Sequence, residues 1–146
     1  IPAKYLLVEL SEEVMLSACG RAKSMIDQLK SLDIGISIDE FSGSYESLRY
    51  LRRMSIEQVK IDCSHLEQEE DNHADKAIIN ALINLTRNMQ LPLIGTGVNS
   101  KDIEDMFIAM GGEFAQGTAV NRGVTPEEIE VWLERWFKLH PKAKPN

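Results

Sequence analysis

Apolar and polar positions along this chain repeat with two periods that take turns. Tyr5 to Leu10, "YLLVEL", runs apolar over a strand's length and is followed by Ser11, Glu12 and Glu13, an N-cap with an acidic first turn. Met15, Ala18, Ala22, Met25, Leu29 and Leu32 then recur at spacings of three and four, which predicts one helix from Ser11 to about Leu32 with a single apolar stripe. A strand follows at Gly35 to Asp39, then a Gly/Ser loop, a short helix near Glu46 to Arg53 and a strand at Gln58 to Asp62. The polar stretch "LEQEEDNHAD" reads as a solvated loop. Beyond it, "DKAIINALINLTRNMQ" places Ile78, Leu82, Leu85 and Met89 on one helical face and Lys76, Asn80, Asn84 and Arg87 on the other. The short strand "PLIGTG", a helix from Lys101 to Met110, the short strand "GGEFAQG" and a helix opened by Pro126 complete the chain.

Strand and helix alternating to the end is the pattern of parallel βα units, so the expected class is α/β, with strands from a barrel or an open wound sheet. Period two within the strands then sorts their side chains. Ile36 and Ile38, Val59 and Ile61, and Leu6, Val8 and Leu10 suit the helix-covered face, which sends Ser37 and Asp39, Lys60 and Asp62, and Glu9 to the other. Three consecutive strands thus aim Glu9, Asp39 and Lys60 to one side near their C-terminal ends, where βα barrels build their sites. On residue chemistry alone these three groups fit a functional site or a structural ion-pair cluster equally well. Asp39 and Glu40 sit side by side, and adjacent carboxylates repel unless water, a metal ion or a lysine offsets them.

Composition narrows the setting. With 146 residues, 43% hydrophobic, the chain reads as one globular domain or part of one, taken here as a single unit over residues 1–146. A formal net charge of -7 and scattered Lys and Arg argue against a nucleic-acid polymer as partner. Cys19 and Cys63 form no CxxC and no metal-ligand spacing with histidine, which fits reduced thiols and a cytoplasmic location. No apolar run nears the roughly 18 residues of a membrane span. His65 and His73 read as surface residues, the acids of "EQEED" as a solvated loop lacking calcium-loop spacing, and Trp132 and Trp136, four apart, as core. Ile1 and Pro2 run almost directly into a strand, so a piece of something longer is expected.

"LLVELSE", "GISIDEFSGSYESLRYL", "VKIDCSHL", "LIGTGVNS" and "FAQG", in this order, resemble the second half of an EAL domain, the bacterial module that hydrolyses cyclic di-GMP. The resemblance implies a modified TIM barrel, of which this chain would supply about the last five strands. It also implies hydrolysis of a phosphodiester by water held between two divalent ions, usually Mg²⁺ or Mn²⁺. Position by position, it makes Glu9 a metal ligand and Glu12 the anchor of the active-site loop. Asp39 becomes a bridging carboxylate, with Glu40 where the family has a second aspartate. Lys60 would orient or activate the water, and Gln116 would lie by the substrate.

The departures point the other way. The Glu-Ala-Leu glutamate, a nearby arginine and an asparagine ligand belong to the family's first half, which these residues do not include. The family's "AEGVE" is here "GTGVN", so Thr96 and Asn99 replace two glutamates, and an uncharged hydroxyl cannot balance a dication as a carboxylate does. Glu40 lengthens its arm by a methylene, about 1.5 Å against a working tolerance of roughly 0.5 Å. "DFGTG" has become "EFSGS", losing a glycine at Ser42, and "QGY" has become "QGT". The expectation is a catalytically degenerate module, regulatory or protein-binding, in cyclic di-GMP signalling, with no stably bound metal, Asp39 pairing with Lys60, and a protein partner or second copy covering the incomplete barrel. The alternative is a metal-dependent phosphodiesterase of which only the C-terminal half is present.

Overall fold

The computed structural model describes residues 2–17, 19–67 and 73–139. Five parallel strands lie in the order of the chain: β1 (Leu7–Ser11), β2 (Gly35–Asp39), β3 (Gln58–Asp62), β4 (Leu93–Thr96) and β5 (Phe114–Ala115). Between and after them run α1 (Glu12–Ser17), α2 (Cys19–Ser31), α3 (Tyr45–Leu51), α4 (His73–Asn88), α5 (Lys101–Ala109) and α6 (Pro126–Leu139). Each crossover carries at least one helix, as parallel pairing requires. The core forms where helices meet the sheet: Ile36, Ile38, Val59, Ile61 and Cys63 are almost fully buried, together with Met15, Ile26, Ile103 and Phe107 from the helices.

Several local expectations need correction. The first helix is seen as α1 and α2, the described residues on either side of Ala18. Its buried residues include Met15, Ala22 and Ile26, whereas Met25 and Leu32 are exposed; Ala18 lies outside the described residues. Met15, Ala22 and Ile26 keep one helical face at spacings of seven and four, and Ile26 takes the place that the apolar stripe gave to Met25. In α4 the buried face is Ile79, Leu82, Ile83 and Thr86, and Ile78 is exposed. Thr86 reaches it because its hydroxyl donates within the helix, to the Leu82 and Ile83 carbonyls at 2.9 and 3.2 Å. The chain ahead of β1 forms a 3-10 turn at Ala3–Tyr5, and a second such turn, Ser64–Glu67, opens the polar stretch expected as a loop; His73 to Asp75 at its end already belong to α4, and residues 68–72 lie outside the described residues. No residue of α6 is fully buried; Trp132 and Trp136 are half-buried and stack on each other at 5.6 Å between ring centroids, so they are not core.

Candidate site at the C-terminal ends of the strands

Register brings the polar face together. Glu9 is paired with Ser37 and Ser37 with Gln58 across β1, β2 and β3, and Gln58 Nε2 donates to Ser37 Oγ at 3.1 Å. Two residues further along β3, Lys60 is only 6% exposed. Its ammonium is ion-paired with Glu9 and donates to Gln116 Oε1 at 2.9 Å, joining β1, β3 and the residue after β5. A buried ammonium requires such partners. The sheet's polar side is therefore partly closed by its own side chains, Ser37 and Lys60 being as buried as the apolar residues between them.

Asp39 is not Lys60's partner. Asp39 Oδ1 accepts from the Glu40 amide at 2.9 Å, and the Lys60 ion pair is made with Glu9. Glu40 has φ +54°, the left-handed region uncommon for side chains beyond glycine, asparagine and aspartate, and its own side chain is exposed. The turn that lets Asp39 bind the next amide thus carries the second carboxylate into solvent.

Glu12 opens α1 with its carboxylate buried. Its Oε2 accepts from both Ser42 N at 3.2 Å and Ser42 Oγ at 2.6 Å, while Oε1 has no partner. The loop after β2 is held from its other side by the Phe41 amide, which donates to the Lys60 carbonyl at 2.9 Å. Ser42 is thus more than a lost glycine, because its hydroxyl anchors the loop to α1 across 30 residues of sequence, a contact no local pattern signals.

At the end of β4, Thr96 Oγ1 donates to the Ile61 carbonyl at 3.0 Å. Asn99, three residues on, accepts from Thr118 N at 3.1 Å through Oδ1. Gln58, Lys60, Phe114, Gln116 and Trp136 line an open cleft of about 520 Å³ along the polar side. A smaller cavity of about 230 Å³ lies at the N-terminal ends of β4 and β5, where Arg87 Nη2 donates to the Gly111 carbonyl; it meets the cleft at Gly112, Glu113 and Phe114 but includes neither Lys60 nor Gln116.

These residues fit a divalent metal poorly. Among the described residues no three His, Cys, Asp or Glu side chains converge to hold an ion. Glu9 is neutralised by Lys60, Asp39 binds a backbone amide, Glu40 points to solvent and Thr96 brings no charge.

A parallel α/β sheet covered by helices, with polar groups gathered at the C-terminal ends of its strands, defines a TIM-barrel-like βα protein. The EAL domain family model matches residues 1–122, and the chain belongs to that family. It is 27% identical over 125 residues to the bifunctional diguanylate cyclase/cyclic di-GMP phosphodiesterase MucR of Pseudomonas aeruginosa, covering 86% of this chain and 18% of that protein. It is 26% identical to the cyclic di-GMP phosphodiesterase PdeB of Shewanella oneidensis, over 93% of this chain and 16% of that one. Among solved structures it superposes on the PaMucR phosphodiesterase in complex with c-di-GMP with a TM-score of 0.78 and 26% identity, over 88% of this chain and 52% of the other. The chain thus spans under a fifth of those curated relatives and about half of that solved chain. Among the described residues no helix is long and apolar enough to cross a membrane.

Proposed function

We propose that this chain provides cyclic di-GMP signalling with an EAL-type half-barrel whose metal chemistry is degraded, and that it works as a regulatory or interaction module. The observation that carries this reading is the state of Thr96: a hydroxyl stands where the family resemblance sets a carboxylate, and it is committed to the Ile61 carbonyl at 3.0 Å. A dication needs anionic oxygens fixed in place, and a neutral, already bonded hydroxyl supplies neither. The Lys60 ammonium supports the reading from the other side, because it occupies the Glu9 carboxylate with a positive charge of the protein's own. Lys60, Gln116 and the Glu12-held loop remain suited to contacting a phosphate ligand without a metal, and cyclic di-GMP is the ligand that the names of the relatives suggest. A protein partner or a second copy would cover Leu6, Leu7 and Phe114, which are 45%, 45% and 52% exposed.

The test is turnover. Full-length protein incubated with cyclic di-GMP and either Mg²⁺ or Mn²⁺ is expected to yield no more linear dinucleotide than a control without protein. Accumulation above that control would overturn the reading in favour of a metal-dependent phosphodiesterase.

A further inference from the structure

β5 is only two residues long, yet Gln116 immediately after it must be placed accurately to meet the Lys60 ammonium. What fixes it is a second ladder beyond the strand, between the segments that follow β4 and β5. Gln116 N donates to the Gly95 carbonyl at 2.8 Å, Val98 N to the Gln116 carbonyl at 3.2 Å, and Ala119 N to the Val98 carbonyl at 3.1 Å. Gly117 lies at the crossing point, where a Cβ would collide with the Val98 carbonyl, so only glycine lets the two backbones approach. Glycine also leaves that point the least restrained in the segment.

The restraint comes from one asparagine. Asn99 Oδ1 accepts from Thr118 N at 3.1 Å and from Thr118 Oγ1 at 3.2 Å, and the same hydroxyl lies 3.3 Å from the Asn99 carbonyl. Both residues are exposed, so burial alone assigns them no role. Together with the backbone ladder they brace Gly117 from both sides.

We propose that Asn99 and Thr118 are positioning residues, a side-chain clamp that holds the segment after β5 in register and keeps Gln116 on the Lys60 ammonium. The clamp's value to a ligand rests on the reading proposed above; the clamp itself does not. Its test therefore uses no ligand. In full-length protein, hydrogen exchange is measured over residues 113–121 alongside the rate at which an amine-acylating reagent modifies Lys60, with Lys23 and Lys101 as exposed controls. Asn99→Ala and Thr118→Val are expected to speed exchange in the segment and acylation of Lys60 by about three- to tenfold, the range of a lost hydrogen bond. The control lysines should be unchanged. Asn99→Asp keeps the acceptor oxygen and should restore both rates. Faster exchange with unchanged Lys60 acylation would make the clamp purely structural and overturn the proposal. Unchanged exchange in Asn99→Ala, or failure of Asn99→Asp to restore the Lys60 rate, would overturn it as well.

Discussion

Cys63 shows how far a single residue's chemistry is set by its place at the end of β3. Burial first, and the neighbouring Asp62 carboxylate second, push its thiol up to about 12. The thiolate is the reactive form, so native Cys63 should resist alkylation at about pH 8, a little below the ordinary thiol pKa of about 8.5. In the unfolded chain the thiol ionises first. Its contribution to stability is therefore complete below the ordinary thiol range and is lost as pH climbs from there towards about 12. Peptide mapping after timed alkylation checks this: Cys63 should react only as fast as the protein unfolds, and modification at the rate of a free thiol would contradict it. Residue roles were the least legible part of the sequence. Period two selected Glu9, Lys60 and Asp39 as one-sided, and family resemblance supplied Glu12 and Gln116. Neither could say that Lys60 binds Glu9 in preference to Asp39, because that depends on Asp39 turning back to the Glu40 amide at a positive-φ residue.

At the scale of elements, alternation of strand and helix was readable because β2 and β3 each carry apolar residues at period two; Ser44 and Ser100, which cap α3 and α5, are signals of helix starts that the periodicity did not need. Both serines accept from the third helical amide, Ser47 N and Ile103 N. Helix faces were less readable. Ile26 takes the buried place in α2 that the pattern gave to Met25, and in α4 a threonine satisfied within the helix joins the buried face. The joint between α5 and the sheet is a place where packing leaves little freedom. Phe107 is 1% exposed and lies against Gly95 of β4 and Gly112 at the approach to β5, both of which make room for its ring by lacking a Cβ. Phe107→Ala leaves a cavity that rigid backbone at two glycines cannot close, and should cost about 3–5 kcal/mol. Denaturant unfolding measures it; a loss under about 1 kcal/mol would mean that α5 does not carry the β4–β5 end of the core.

For the whole molecule, the sheet's order β1-β2-β3-β4-β5 leaves β1 and β5 at its edges, and the chain matches about half of the solved PaMucR chain. Within this open sheet the polar groups at the strand ends have been drawn into bonds with one another: Lys60 with Glu9 and Gln116, Glu12 with Ser42, Thr96 with Ile61, Asn99 with Thr118. A network satisfied from within has little to offer a dication, which would have to break the Lys60–Glu9 pair and strip Asp39 from its amide. Absence of turnover has many causes, whereas metal affinity reports on these bonds directly. Mn²⁺ is therefore titrated into full-length protein and into its Asp39→Ala variant, and the free-ion signal is followed by electron paramagnetic resonance. The two proteins should give the same free-ion signal at every Mn²⁺ addition. A stoichiometric loss of that signal in the unaltered protein, abolished by Asp39→Ala, would contradict the account by showing that the strand ends still assemble a metal site.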